Sequence, residues 1–302
     1  MQPLGLPELN DYAARIGADP ALVQGAGGNV SLKCGGVLWV KASGTWLARA
    51  TDHDIMVPVA LDPLLAAIAA DDAEAMEGAY RFVVGAGTLR PSIETTMHAL
   101  LPHPVVVHVH CVETIARAVR TDAGSTVAPF LHGLAWAFVP YVRPGAPLAR
   151  AIRDVLQPGL DVLILGNHGL VVGAATVAGA AALLADVSRR LRATARPALL
   201  DSLATDPLSL SVARQGSLYP DHVIFLGPGI QQRPGRWPMQ VVPGVGVRMA
   251  ADASAGAWAM AQCLADVAAR IPADTPLRVL THDEEAELLG WDAEQYRQRL
   301  ER

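Results

Sequence analysis

His108 and His110 flank Val109 in Val105-Val106-Val107-His108-Val109-His110, a β-branched run that reads as a strand. The strand period of two puts both imidazoles on one face, a few ångströms apart, which is a metal-chelating spacing. His168 stands in a Gly166-Asn167-His168-Gly169 turn after a second apolar stretch, where loops deliver side chains to a site. Three imidazoles leave a coordination position open for water or substrate, as a catalytic rather than a structural centre requires. A His-x-His pair alone is also an ordinary strand pattern, and the third histidine is what tips the reading toward metal.

Glu94 follows Pro91-Ser92-Ile93, in the first turn of a helix expected from Ser92 to Leu101 and stopped by Pro102 and Pro104. Beside a divalent cation this carboxylate could act as ligand or general base. Alone, it equally suits the free N–H groups and dipole of a helix start, and Glu113, opening the next helix, reads as structural. Gly25-Ala26-Gly27-Gly28-Asn29 and Ala42-Ser43-Gly44-Thr45 offer backbone N–H groups and hydroxyls on either side of Lys33 and Lys41, the only lysines among 24 basic residues. Such loops suit an anionic group, and they also serve as plain turns.

The elements that must hold these groups come from a chain of 302 residues, 51% hydrophobic and 18% charged, with material for one large domain or two small ones. Disordered and collagen-like classes are excluded. A net charge of −5 gives no basic footprint, so nucleic acid is not an expected partner. The uncharged Gly169–Ala185 stretch falls short of a membrane span and reads as a buried strand and helix. The N-terminal residues lack a secretory pattern and Cys34, Cys111 and Cys263 form neither a disulfide framework nor a zinc knot, so a reducing, cytoplasmic setting is expected.

Helices are expected over 7–18, Leu61–Ala70, Ala73–Val84 (capped by Asp71 or Asp72), Glu113–Arg120, Pro147–Leu156, Val177–Ala193 and Ala255–Arg270, with an acidic helix from Asp283. Strands are expected at Asn29–Lys33 and Val37–Lys41, hairpinned at Gly35-Gly36, and at Phe138–Val142, Asp161–Leu165, Gly169–Val172, Val223–Leu226 and Val241–Val247. The mixed order points to a layered α/β or α+β domain. A change of texture near residue 205 divides the chain into 1–205 and an extension, 206–302, expected to pack on or near the site. No G-x-G-x-x-G follows a strand, so dinucleotide binding has no support.

Together these segments resemble the class II aldolase/adducin family. The matching stretches are Gly27-Gly28-Asn29-Val30-Ser31, Lys41-Ala42-Ser43-Gly44-Thr45, Pro91-Ser92-Ile93-Glu94-Thr95 with His98, His103-Pro104 through His108-x-His110, the Pro140-Tyr141…Pro144-Gly145 corner and Gly166-Asn167-His168-Gly169-Leu170. They stand in the family's order across roughly residues 7–200. The resemblance implies a three-layer α/β/α domain with a mainly antiparallel central sheet, usually a homotetramer with sites between subunits. It implies that His108, His110 and His168 ligate a divalent metal, usually Zn²⁺, and that Glu94 is the acid/base carboxylate. Gly28, Asn29, Ser43, Gly44 and Ser92, with Lys41 nearby, match positions that hold the phosphate or polar end of a sugar or sugar-phosphate substrate. Leu218-Tyr219-Pro220-Asp221-His222-Val223 and Trp291-Asp292-Ala293-Glu294-x-Tyr296-Arg297 are similar to the aldolase half of longer proteins fused to a short-chain dehydrogenase.

Two departures stand out. Ile93 occupies a position where many sugar-phosphate aldolases have a second serine, and residues 112–140 contain no tyrosine to match the one used by fuculose-phosphate members. Tyr219 and His222 are weak candidates for the second proton donor, and each equally suits a buried hydrogen-bonding role. The expected activity is reversible aldol cleavage of a ketose or ketose phosphate through a metal-stabilised enediolate. The alternatives are a pentulose-phosphate 4-epimerase, a subgroup that typically has aspartate at the Glu94 position, and a non-catalytic adducin-like interaction protein, for which the metal ligands would be expected to be lost.

Overall fold

The computed structural model describes residues 2–77, 79–233 and 235–300. Helix α1 (Leu6–Gly17) buries Leu6, Leu9, Ala13 and Ile16, a helical repeat that gives it one apolar face. Strands β1 (Asn29–Cys34) and β2 (Val37–Lys41) form the expected hairpin. Strand β3 (Met56–Ala60) pairs with β2 at the sheet edge. Its sequence signal is masked by Pro58, which lacks a ladder donor and is tolerated only at such an edge. Helices α2 (Leu61–Ala69) and α3 (Ala73–Met76) follow, the second capped by Asp72 accepting from the Ala75 N–H. The longer helix expected over Ala73–Val84 breaks: Ala79 is left-handed at φ 53° and a 3₁₀ turn covers Tyr80–Phe82, while Gly78 lies outside the described residues.

Next come α4 (Thr95–Leu100), β4 (Val105–Val109), α5 (Val112–Ala118), α6 (Ala123–Val127), β5 (Trp136–Val139), α7 (Ala146–Val155), β6 (Val162–Leu165), β7 (Gly169–Ala174) and α8 (Val177–Arg190). Strand β5 lies two to three residues before its expected place. The seven strands lie in the order β3-β2-β1-β4-β7-β6-β5, antiparallel throughout except for the β5–β6 pair. Central β4 is buried on both faces. Val105, Val107 and Val109 join Leu9 of α1 and Leu184 of α8 in one core. Val106 joins Met97 of α4, Leu148 of α7 and Val171 of β7 in the other. The domain is therefore a three-layer α/β/α sandwich on a mainly antiparallel sheet, and strand alternation sends His108 toward the α4 and α7 side with Val106.

The chain continues through α9 (Ser202–Thr205), α10 (Pro207–Gln215), α11 (Pro220–Leu226), the hairpin β8 (Met239–Val242) and β9 (Gly246–Met249), α12 (Ala255–Arg270), α13 (His282–Gly290) and α14 (Asp292–Leu300). The expected strand at Val223–Leu226 is instead the end of α11. Pro220 pre-sets its first turn and all seven residues are buried, so no periodicity separates helix from strand in so short an apolar run. The expected strand Val241–Val247 turns back on itself at 243–245 to make β8 and β9. These elements build a core that includes Val112, Ile115 and Val119 in and just after α5. Among the described residues no helix is long and apolar enough to cross a membrane.

Asn167 fastens the β6–β7 turn to this region. It holds a left-handed φ of 49°, and its Nδ2 donates to the carbonyls of Leu218 (2.8 Å) and Arg278 (2.7 Å). Asn167→Ala loses both bonds and adds left-handed strain, an expected cost of about 2–4 kcal/mol. Asn167→Gly, which relieves only the strain, is expected to fall between the two in urea unfolding; a melt of Asn167→Ala indistinguishable from the parent contradicts this assignment.

Candidate metal centre

The three histidines reach one point from two adjacent strands. His108 lies within β4, opposite Asn29 of β1 and Val171 of β7; His110 is one residue past the end of β4, and His168 sits in the β6–β7 turn at the same sheet end. Their ring centroids are 4.9 to 5.3 Å apart, and one nitrogen from each lies within 4.8 Å of the others. His108 Nδ1 donates to the Leu170 carbonyl at 3.0 Å, which turns a bare Nε2 toward the site. That Nε2 faces His110 Nε2 at 3.2 Å. Nitrogens bonded at about 2.0–2.1 Å to one tetrahedral ion are separated by about 3.3–3.4 Å, so the spacing and the donor set fit a divalent metal. Burial outweighs the attraction of Glu94 and lowers the pKa of both His108 and His168, the latter to about 3, keeping the rings in the neutral form that ligates.

Glu94 completes the cluster. It occupies the N-cap position of α4, one residue before a helix that starts at Thr95 rather than Ser92, and its side chain caps nothing. Its Oε1 is 3.2 Å from His168 Nε2 and its Oε2 is 3.5 Å from His108 Nε2. The helix-start reading therefore does not describe what this carboxylate does. Burial opposes ionisation of this carboxyl, while a hydrogen bond from Asn29 Nδ2 (2.7 Å) to its Oε2 favours the carboxylate, and its pKa lies below the ordinary value.

Asn29, expected at an anion, has its amide committed elsewhere. Nδ2 also donates to Ser92 Oγ at 3.2 Å, while Oδ1 accepts from His98 Nε2, and His98 Nδ1 accepts from Ser31 Oγ at 2.7 Å. His98 thus fixes which way the Asn29 amide points, a role sequence reasoning did not assign. The signal was available: Asn29 and Ser31 share a strand face at i, i+2, and Glu94 and His98 are one helical turn apart.

Gly28, Lys41, Ser43, Gly44 and Ser92 border the same cavity. Lys41 Nζ donates to the carbonyls of Ala26 (2.8 Å) and Gly28 (2.9 Å), tying the glycine loop to β2. Gly28, at φ 60°, crosses the His108 carbonyl so closely that a Cβ would stand 2.9 Å from it. Lys33 instead donates to the Leu101 carbonyl, and burial lowers its pKa to about 8.

Residues beyond 206 close the cavity. Asp221 of α11 and Glu294 and Arg297 of α14 line it, and Leu300 lies against Gly44. The cavity volume is about 30 Å³, room for an ion and a water. Tyr219 does not turn its hydroxyl to the cavity: it donates to Met260 Sδ at 3.1 Å, inside the C-terminal core. His222 packs its ring against Tyr219 at 4.2 Å and does not line the cavity either.

Residues 11–194 match the profile of the Class II Aldolase and Adducin N-terminal domain. The chain belongs to that family. A Bacillus subtilis (strain 168) protein described as "Uncharacterized oxidoreductase YuxG" is 32% identical over 183 residues, 56% of this chain and 26% of the relative. The chain thus spans about a quarter of that curated relative's length. Among solved structures, the N-terminal class II aldolase domain of a conserved protein from Thermoplasma acidophilum is 27% identical, with a TM-score of 0.56, covering 63% of this chain and 93% of that one. The family and its fold are those expected from the motifs.

The buried imidazoles make acid stability a readout of this arrangement. Burial lowers His98 and His222 from 6.5 to about 3. The unfolded chain binds these protons below about pH 6.5 and the fold does not, so stability rises with pH between about 3 and 6.5. Each group contributes about 1.4 kcal/mol per pH unit in that window. Metal-stripped protein is expected to lose urea resistance between about pH 6.5 and pH 5, and His98→Gln is expected to flatten the slope by that amount; identical slopes contradict it.

Proposed function

We propose that the protein is a metal-dependent aldehyde-lyase that cleaves a ketose or ketose phosphate reversibly between the carbons of an aldol. The observation that carries this reading is the convergence of three buried imidazoles on one point with the Glu94 carboxylate beside them. A divalent cation held by His108, His110 and His168, for which Zn²⁺ is the best match, supplies a Lewis acid that polarises the ketone carbonyl. Glu94 Oε1 makes no hydrogen bond and is free to move a proton at the carbon beside that carbonyl, removing it in aldol formation and returning it in cleavage. Asn29, held by His98, keeps the other carboxylate oxygen in place.

Ser43 Oγ, buried and without a hydrogen-bond partner, faces the cavity with Gly44 and Ser92 and suits the polar end of the substrate. Lys41 shapes this loop and adds positive charge behind it. Retention of all three candidate ligands favours an enzyme over a non-catalytic adducin-like role. A homotetramer is part of the proposal, and light scattering on the purified protein reads it.

The test is turnover across phosphorylated and free ketoses, with aldehyde release as the signal. Glu94→Gln is expected to keep metal and substrate yet lose about a hundredfold or more in kcat. His108→Ala is expected to lose the metal and nearly all turnover. Turnover of Glu94→Gln within about threefold of the parent contradicts the proton-transfer role.

A further inference from the structure

The region beyond residue 206 places charges at the site that the proposed reaction leaves unused. Asp221, in the first turn of α11, is 2% exposed. Its Oδ2 lies 3.1 Å from His110 Nδ1, and its Oδ1 lies 3.0 Å from Arg297 Nη2. Arg297 Nη1 donates to both oxygens of Glu294, at 3.0 and 2.9 Å, one turn earlier on α14. A line of contacts therefore runs from α14 through Asp221 to His110, whose other nitrogen faces His108. Gly27 leaves the path open: a Cβ there would stand 2.8 Å from His110 Nδ1 and 3.0 Å from Asp221 Oδ2.

An imidazole ligates through one nitrogen only if the other carries the proton, and the partner of that proton fixes ring rotation and basicity. The Leu170 carbonyl does this for His108. Among the described residues neither His110 Nδ1 nor Asp221 Oδ2 makes a hydrogen bond, and at 3.1 Å each is the polar atom nearest to hand for the other.

We propose that Asp221 is the positioning residue of His110, and that Arg297, by holding Asp221, makes the affinity of the three-histidine centre depend on α14. This rests on the metal reading above, and Asp221 and Arg297 both lie outside the family match at 11–194.

The experiment titrates metal-stripped, full-length protein with Co²⁺, following its visible absorption, and then with Zn²⁺ against a chelating dye. Asp221→Asn is expected to weaken both affinities about 10- to 100-fold. Arg297→Gln should weaken them several-fold, with partial rescue by Arg297→Lys, while the metal-free melts show that each variant folds. Parent-like affinity in Asp221→Asn overturns the inference and leaves the metal reading standing. Parent-like affinity in Arg297→Gln overturns the dependence on α14. A parent that binds neither ion overturns the inference and the metal reading together.

Discussion

His108 Nε2 and His110 Nε2 stand 3.2 Å apart in a buried place, close enough to share a proton or to bind one cation together. That close approach is the constraint around which the sheet end is built. His108 cannot turn away because its Nδ1 is engaged by the Leu170 carbonyl of the neighbouring strand. Solvent cannot relieve the contact, since all three rings are nearly inaccessible. The spacing suits a cation shared by the rings.

The rest of the architecture serves that point. Two antiparallel neighbours of β4 deliver Asn29 on one side and His168 on the other, and the pleat turns His108 to the face where α4 begins. The short link from α4 to β4 brings Glu94 alongside, and the Ser31, His98 and Asn29 chain orients it. Lys41 and Gly28 settle the loop that completes the cavity. A buried polar network of this kind is worth having only if its members are satisfied together, which explains why so many of its residues carry no exposed surface.

Much of this was legible in the sequence, because the strand period and the spacing of short motifs are local properties. His108 and His110 on one face, the Gly35-Gly36 hairpin and the Ala255–Arg270 helix all followed from patterns within a few residues. The failures have physical causes too. Val223–Leu226 is buried on every side, so its run carries no period; β3 contains a proline that an edge position excuses; and Glu94 gives no sign in sequence that it forgoes its cap. His98, Asp221 and Arg297 act across 69, 111 and 76 residues of chain, on Asn29, His110 and Asp221. Such contacts are set by tertiary packing, and only a three-dimensional view reveals them.

His108, His110 and His168 are expected to hold one divalent ion through Nε2. Crystals grown with Zn²⁺ and measured on both sides of the zinc absorption edge test it most directly. One strong anomalous peak is expected within about 2.0–2.2 Å of all three Nε2 atoms. A fully loaded crystal with no peak among these rings, or with its zinc bound elsewhere, would contradict it.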